Sequence, residues 1–409
     1  MTDRPGSERA ARLADVQAAL RDAGLDGWLF AVFRGSDPIA PAVLRLPDGH
    51  ETRRWYYYVP AAGAPRKLVH AVEARRLEAL PGDTTSYVGW QALHERLREI
   101  LGGARRVAMQ YSPLNAIPYV SRVDAGTVEL VRTFGVEVVS SADLVQRFEA
   151  VWTPAQAASH LAAAAGCRAT IDAAYARVRR ALAERRRLDE HGLQQFILEE
   201  FARLGLETDD PPIVAVNANS ADPHYTPPPR GSSEIREGDV LELDIWARQA
   251  GVQGSVYADI TWTAVVAREP APEHLAVFDV VRRARDEAIA LVTERVAAGR
   301  AVHGYEVDDA ARAVVRAAGH AERFVHRTGH SIGHLVHGNG ANVDNLETRD
   351  ERRLLPGTGF SIEPGIYLEG RFGVRSEVDL YIEPGDGARG PRAVVTGQPI
   401  QTAVVALLA

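Results

Sequence analysis

The chain has 409 residues, of which 46% are hydrophobic and 25% charged, and its formal net charge is −7. This length exceeds what one hydrophobic core usually supports, and the composition excludes a disordered or fibrous protein, so we expect two globular domains. Acidic and basic residues are interspersed without a basic stripe for nucleic acid, and the only lysine, Lys67, lies outside any phosphate-loop motif.

The N-terminal segment predicts a small α/β domain. It is polar from its first residues and lacks the apolar region of a signal peptide, and no long apolar run follows, so we expect a cytoplasmic protein without a membrane partner. Periodicity predicts helices over 8–22, 90–101 and 141–149 and strands over 26–33, 54–60 and 66–72. We assign residues 1–152 to this domain, which contains no cluster of catalytic residue types.

Thr153 followed by Pro154 is typical of the start of a long helix, because threonine caps the first turn and proline fits its first position. We therefore place the second domain over 153–409. Its later predicted helices span 189–204, 274–297 and 305–318, and its predicted strands span 212–216, 239–246, 256–266, 359–368 and 373–383. This order of hairpins and helix pairs predicts an α+β fold.

Acidic residues interrupt apolar strand sequences at four places in this domain. They are Asp244 in VLELDIWA, Asp259 in VYADITWTAVV, Glu363 in GFSIEPGIYL and Glu377 in FGVRSEVDLYI. A buried carboxylate is costly unless it is paired or bound to a metal, and neighbouring carboxylates raise one another's pKa. Any one of these acids alone is more simply explained by a hydrogen bond or salt bridge. Together they predict a site for two divalent cations, for which manganese, iron, cobalt and zinc are suitable.

Histidines concentrate in FVHRTGHSIGHLVHGNG, which supplies His326, His330, His334 and His337. With the four acids, this segment resembles the pita-bread metallopeptidases, which include Xaa-Pro dipeptidase (prolidase), aminopeptidase P and methionine aminopeptidase, with creatinase as a relative. The family order of Asp, Asp in a DITRT-like strand, His in GHGIG, Glu in EPG and Glu near IRIE is matched within 153–383. The resemblance implies a creatinase-like N-terminal α/β domain followed by a pita-bread catalytic domain, and a homodimer.

The resemblance also implies a role for each matching residue. The implied metal ligands are Asp244, Asp259, His330, Glu363 and Glu377. The implied catalytic residues are His224 near the substrate carbonyl, His337 beside the tetrahedral intermediate and Glu363 as proton acceptor. The implied substrate-binding residues are His326, Tyr367 and Arg375, of which Arg375 is expected to pair with a ligand carboxylate.

The activity implied by the resemblance is hydrolysis of the Xaa-Pro bond in dipeptides by two divalent ions, with Mn²⁺ expected and Co²⁺ or Zn²⁺ as alternatives. The sizeable N-terminal domain favours this activity over that of methionine aminopeptidase. A dipeptidase must bind a free carboxylate, and the candidate arginines are Arg349, Arg352, Arg353 and Arg371. The alternatives are an aminopeptidase P acting on longer peptides, a metal-dependent lyase or creatinase-like hydrolase, and a silent peptide-binding module, which the complete ligand set disfavours.

Three residues depart from the family motifs. Trp262 replaces the arginine of DITRT, Ser376 stands where isoleucine is usual, and His334 replaces an apolar residue. The connection between Asp244 and Asp259 is also longer than in relatives. We expect these changes to affect substrate specificity and not metal binding.

Overall fold

The computed structural model describes residues 4–47 and 49–409, with side chains from residue 9 onward. It divides into two compact units between Glu149 and Ala150. The α-helices are α1 (Arg4–Asp22), α2 (Ile39–Leu44), α3 (Trp90–Leu101), α4 (Ala125–Thr133), α5 (Ala142–Val145), α6 (Pro154–Ala183), α7 (Glu190–Arg203), α8 (Pro272–Ala297) and α9 (Gly304–Ala317).

The β-strands of the first unit are β1 (Gly27–Val32), β2 (Trp55–Pro60), β3 (Arg66–His70), β4 (Asp83–Tyr87), β5 (Arg106–Met109) and β6 (Glu137–Ser140). Those of the second unit are β7 (Leu206–Glu207), β8 (Ile213–Val216), β9 (Val240–Gln249), β10 (Ala258–Val265), β11 (Ser331–Ile332), β12 (Gly359–Ile362), β13 (Gly365–Leu368), β14 (Phe372–Arg375), β15 (Val378–Glu383), β16 (Arg392–Val395) and β17 (Val405–Ala406).

The first unit is a mixed sheet with helices packed on both of its faces. Its strand order is β4-β3-β2-β1-β5-β6, in which β1 pairs antiparallel with β2 and parallel with β5. Because alternate side chains of a strand point to opposite faces, Phe30 packs in one core with Leu20 of α1, whereas Leu29 packs in the other with Leu93 of α3. The unit therefore has the predicted α/β architecture.

The second unit begins with α6 and α7, which pack against one face of an antiparallel sheet. Thr153 Oγ1 accepts a hydrogen bond from the main-chain N–H of Gln156 at 3.2 Å, and the Gln156 side chain accepts one from the N–H of Thr153 at 2.9 Å. This capping box confirms the predicted helix start. Ile171 of α6 and Leu243 of β9 belong to the core between the helices and the sheet.

A second pair of helices, α8 and α9, packs against the later strands. Val281, Val307 and Phe360 belong to their shared core. Strand β12 pairs antiparallel with β11 and β15, and β15 with β16. A helix pair followed by antiparallel strands thus occurs twice, as expected for an α+β domain. None of the helices within the described ranges combines the length and apolar character needed to cross a membrane.

The strands predicted over 359–368 and 373–383 are each interrupted. The first divides into β12 and β13 at Glu363, and the second into β14 and β15 at Glu377. At both places the main-chain N–H of the glutamate donates to the carbonyl oxygen of another segment. This N–H is therefore not used for pairing between the two strands of the hairpin. The prediction of two continuous strands was therefore wrong.

Candidate active site

Asp244 and Asp259 lie on neighbouring strands, on the sheet face opposite α6 and α7. In the β9–β10 register Thr261 stands opposite Asp244, and Asp259 precedes Thr261 by two residues, so the three side chains share one face. Both aspartates are buried, with 8% and 5% of their surface exposed. The main-chain N–H of Asp259 donates to Oδ2 of Asp379 at 2.8 Å, which fixes the strand at this point.

Glu363 and Glu377 lie where the long hairpin passes from one sheet to another. The pairing register is the same on both sides of the interruption, which places Glu363 opposite Glu377. The main-chain N–H of Glu363 donates to Thr328 O at 2.7 Å, and that of Glu377 donates to Thr261 O at 3.2 Å. These bonds attach one glutamate to the histidine-rich segment and the other to the strand that carries Asp259.

His330 precedes the short strand β11 and is held against β12. A Cβ atom on Gly329 would lie 1.9 Å from Ser361 O, so only glycine allows this close approach of the two backbones. The main-chain N–H of His330 then donates to Ser361 Oγ at 2.9 Å. Its Nε2 atom lies 3.6 Å from Asp259 Oδ2 and 3.5 Å from Glu363 Oε1. The imidazole therefore stands between an aspartate and a glutamate.

Burial and mutual repulsion disfavour the charged forms of these acids. The pKa of Asp259 is raised well above its usual value by burial and then by Asp244. The pKa of Glu377 is raised in the same way by burial and then by Asp259. Burial also raises the pKa of Glu363 to about 7 and lowers the pKa of His330 well below its usual value. The imidazole is therefore neutral at neutral pH, which is the state that coordinates a metal.

The donor atoms fit divalent metal ions. Oδ1 of Asp259 and Oε1 of Glu377 are buried and have no hydrogen-bond partner in the described part of the chain. Ligand atoms of Asp259, His330 and Glu377 all lie within 4.8 Å of one another. Carboxylate oxygens that lack donors are costly to bury without a cation, and several such oxygens with one imidazole suit manganese, iron, cobalt or zinc.

Arg375 supports the aspartate side of this cluster. It is 3% exposed, and its Nη2 and Nε atoms donate to Asp244 Oδ2 at 2.6 Å and Thr261 Oγ1 at 3.0 Å. Its main-chain N–H donates to Oε2 of Glu242, whose pKa burial raises to about 7. Glu242 was not predicted from the sequence, although its spacing of two residues from Asp244 places both carboxylates on one face of β9.

A cavity of about 240 Å³ adjoins these residues. The sequence-predicted residues that line it are Asp244, Asp259, His330, Glu363, Glu377, His224, His326, His337 and Arg375. Tyr367 instead lines a neighbouring groove of about 680 Å³. Its hydroxyl still reaches the site, because it lies 2.6 Å from Nε2 of His326.

The three additional histidines occupy different environments. His337 meets His330 edge to face, with ring centroids 4.3 Å apart, and its pKa is lowered by partial burial. His326 donates from Nδ1 to Arg327 O at 2.7 Å, and burial lowers its pKa to about 3. Nε2 of this neutral ring accepts from the Tyr367 hydroxyl. His224 is exposed on the loop that follows β8.

The residues that depart from the family motifs do not line the cavity. Trp262 faces away from Asp259 on β10, and its ring centroid lies 3.9 Å from the guanidinium carbon of Arg168. Ser376 Oγ accepts a hydrogen bond from Arg285 at 2.7 Å. His334 lines a separate surface depression. None of these three residues lines the cavity, so the geometry of the site does not support the expectation that they change substrate specificity.

The four arginines considered as carboxylate partners are also absent from the cavity wall. Arg352 is buried and donates from Nε and Nη2 to the carboxylate of Asp350, at 2.9 and 2.6 Å. Arg371 pairs with Glu273 on the surface. Arg327 lines the cavity instead. Sequence patterns alone did not single out this arginine within the histidine-rich segment.

Most of the second unit is similar to a known family of peptidases. Residues 157–384 match metallopeptidase family M24. The chain is 31% identical over 390 residues to the probable dipeptidase PepE of Mycobacterium bovis, with 93% of both chains covered. It is 31% identical over 172 residues to the Xaa-Pro dipeptidase of Lactobacillus delbrueckii subsp. lactis, with 42% of each chain covered.

A solved structure is similar over nearly the whole chain. The crystal structure of dipeptidase PepE from Mycobacterium ulcerans superposes with a TM-score of 0.68 at 26% identity, and 98% of each chain is covered. These matches confirm the predicted fold, in which a creatinase-like α/β domain precedes a pita-bread domain.

Proposed function

The chain belongs to metallopeptidase family M24, and on this premise we propose that it hydrolyses the Xaa-Pro bond of dipeptides. We propose that its two divalent ions are held by Asp244, Asp259, His330, Glu363 and Glu377. The observation that carries the proposal is the group of buried carboxylates around one neutral imidazole on the wall of a small cavity. A relative named as a dipeptidase and a shorter match named as an Xaa-Pro dipeptidase support it.

The size of the cavity favours a short substrate. Its volume of about 240 Å³ lies below the roughly 300–1,000 Å³ of pockets that enclose drug-sized ligands. A dipeptide of two small residues is compatible with this volume, whereas a long peptide must leave the cavity. Dipeptide hydrolysis is therefore the first choice among the activities of the family.

When bound by these residues, divalent ions would polarise the substrate carbonyl and lower the pKa of a water molecule toward neutrality. We assign to Glu363 the role of taking the proton of the attacking water. Two observations support this role: its carboxylate borders the cavity, and Ser361 Oγ donates a hydrogen bond to its Oε1 at 3.2 Å, which orients the group. The leaving nitrogen of a prolyl residue has no hydrogen before cleavage. Glu363 then supplies the proton that this nitrogen needs.

His224 and His337 are assigned to the carbonyl oxygen, on which negative charge develops during attack. Both line the cavity, and His337 also contacts His330. Because the pKa of His337 is lowered, its ring is neutral at neutral pH and offers one N–H donor. A donor aimed at this oxygen stabilises the transition state more than the substrate.

Activity of metal-stripped protein tests the proposal. The protein is assayed against Ala-Pro and Ala-Pro-Ala, without metal and with manganese, cobalt or zinc added separately. We expect no activity without metal and cleavage of Ala-Pro after manganese is added. Undiminished cleavage by the stripped protein, or no cleavage of Ala-Pro with any of the metals, contradicts the proposal.

A second candidate is an aminopeptidase P that acts on longer peptides. One observation favours it: the neighbouring groove of about 680 Å³ shares Pro223 with the site cavity and is lined by Tyr367, whose hydroxyl contacts His326. A peptide that extends beyond its second residue has space to continue there. Cleavage of Ala-Pro-Ala without cleavage of Ala-Pro would select this candidate.

A further inference from the structure

One wall of the site cavity is formed by two irregular segments that lie outside the helices and strands. His326 and Arg327 belong to the first segment, which covers 324–328, and Glu347 belongs to the second, which covers 344–348. The main-chain N–H of Arg327 donates to Oε1 of Glu347 at 3.2 Å, which joins the two segments. Because no strand ladder fixes the backbone of an irregular segment, its position depends on other hydrogen bonds.

A single carboxylate, that of Asp308 on α9, holds both segments without lining the cavity itself. Its Oδ1 atom accepts hydrogen bonds from the main-chain N–H of Thr328 at 2.9 Å and from Thr328 Oγ1 at 2.5 Å. Its Oδ2 atom accepts one from the main-chain N–H of Asn345 at 2.9 Å. Asp308 and Thr328 have no exposed surface, so solvent water does not compete for the bonds between them.

Arg312 follows Asp308 by one helical turn and completes the attachment of the first segment. Residues four apart lie on the same face of a helix, and Arg312 Nε donates to Asp308 Oδ2 at 2.7 Å. The guanidinium also donates from Nη1 to Phe324 O at 3.0 Å and from Nη2 to His326 O. The two side chains of α9 therefore bind main-chain groups at both ends of the segment 324–328.

The attachment continues to the group that we assign to proton transfer. Thr328, whose N–H and hydroxyl donate to Asp308, accepts at its carbonyl oxygen a hydrogen bond from the main-chain N–H of Glu363 at 2.7 Å. Asp308, Thr328 and Glu363 thus form a continuous chain of contacts from α9 to the cavity. The opposite side of the site is fixed separately, because the main-chain N–H of Asp259 donates to Oδ2 of Asp379.

We propose that Asp308 is a positioning residue for the hydrolysis, acting through Thr328 on Glu363 and through Arg312 on His326. The inference rests on the proposed peptidase function and adds to it a residue that touches neither the substrate nor the metal ligands' side chains. A carboxylate suits this role because both of its oxygen atoms accept hydrogen bonds, whereas the amide of asparagine offers only one acceptor atom. A misplacement of about 1 Å can lower the rate about 100-fold, so a residue outside the cavity can control it.

The kinetic test compares two adjacent aspartates of α9. Asp308→Asn and Asp309→Asn are assayed on Ala-Pro with saturating manganese, well below their unfolding temperatures. Asp309 is exposed and accepts a hydrogen bond from the side chain of Asn345 at 2.8 Å, so its variant is a matched control that should keep the wild-type kinetics. We expect Asp308→Asn to lower kcat by roughly 10–100-fold with little change in KM. Folded Asp308→Asn with the wild-type kcat would show that the inference is wrong.

Thr328 provides a second pair of variants, which keeps the test decisive if Asp308→Asn does not fold. Thr328→Val removes the hydroxyl that donates to Asp308 and keeps the shape of the side chain, whereas Thr328→Ser keeps the hydroxyl. We expect Thr328→Val to lower kcat by roughly 3–10-fold, the effect of one hydrogen bond, and Thr328→Ser to retain the wild-type kcat. Equal values of kcat in the two variants would contradict the chain of contacts from Asp308 to Glu363.

Hydrogen exchange of the metal-stripped protein tests the positioning without an assay of activity. In Asp308→Asn we expect the N–H groups of 326–330 and 361–365 to exchange about tenfold faster or more, and those of 258–262 to exchange as in the wild type. This local change supports the inference even if no dipeptide is cleaved. Equal acceleration in all three segments would mean that Asp308 only stabilises the fold. Unchanged exchange over 326–330 and 361–365 overturns the inference even if Ala-Pro is hydrolysed.

Discussion

Nη2 of Arg375 lies 2.6 Å from Oδ2 of Asp244, and both side chains are buried, with 3% and 11% of their surface exposed. The same nitrogen lies 3.7 Å from Oε1 of Glu242. One guanidinium thus faces two carboxylates on β9. In the metal-free protein, the positive charge of Arg375 is the closest one that balances the negative charges of these two carboxylates.

Replacement of Arg375 should therefore destabilise the metal-free protein. Arg375→Gln leaves Asp244 and Glu242 buried without their cation, and the loss of one partner of a buried pair costs about 3–5 kcal/mol. Urea unfolding in the presence of a chelator measures this free energy. Arg371→Gln breaks an exposed pair with Glu273 and should change this free energy little, because water screens exposed ion pairs. Equal small losses in the two variants would contradict the assigned role of Arg375.

Glu190 fixes the loop that carries His224. Its carboxylate accepts hydrogen bonds from Val216 N, Asn219 Nδ2, Tyr225 Oη and Ser233 N at 2.7–3.0 Å. Glu190→Gln puts an amide N–H₂ where these donors need an acceptor, so we expect faster hydrogen exchange over 217–233 and a fall in kcat/KM of roughly tenfold. Exposed Glu199 on the same helix provides the control, Glu199→Gln. Unchanged exchange in the loop of Glu190→Gln would count against this role.

His160 should make stability depend on pH. It is fully buried, its Nδ1 donates to Tyr257 O at 2.6 Å, and its Nε2 lies 2.9 Å from Thr396 Oγ1. Burial lowers its pKa from 6.5 to about 4. As the pH falls, His160 is protonated in the unfolded chain before it is protonated in the folded protein. The neutral buried ring therefore makes its full contribution to the unfolding free energy above pH 6.5. This contribution is lost as the pH falls toward about 4, by about 1.4 kcal/mol per pH unit.

Unfolding free energies measured between pH 7 and pH 4.5 test this dependence. The unfolding free energy should fall more steeply with decreasing pH in the wild type than in His160→Gln, by an amount that corresponds to the uptake of up to one proton on unfolding. His50→Gln changes an exposed ring and should keep the wild-type slope. Parallel curves for wild type and His160→Gln would show that the buried ring does not titrate in this way.

Local patterns predicted the elements that carry the site. The Thr153–Pro154 pair determined where α6 begins, and alternating apolar residues predicted β9 and β10 with their embedded aspartates. The polar sequence DTTSY of β4 has no such alternation, and this strand was not predicted. Short strands of this kind form because a neighbouring strand pairs with them, which a single segment cannot reveal.

The remaining parts of the site depend on contacts between distant segments. The interruption at Glu363 and Glu377 arises from hydrogen bonds to Thr328 and Thr261, which the hairpin's own sequence does not indicate. The position of Arg327 on the cavity wall likewise depends on how the histidine segment packs. The acids could be predicted because burying a carboxylate is costly, whereas an arginine beside histidines is equally common on a solvated surface.

Anomalous diffraction from crystals soaked in manganese tests the metal centre most directly. Protein stripped of metal is crystallised, soaked in Mn²⁺, and measured where manganese scatters anomalously. We predict two anomalous peaks per chain, both ligated by atoms of Asp244, Asp259, His330, Glu363 and Glu377. Well-diffracting crystals with no peak among these residues, or with manganese bound only elsewhere, would contradict the proposed centre and the hydrolysis assigned to it.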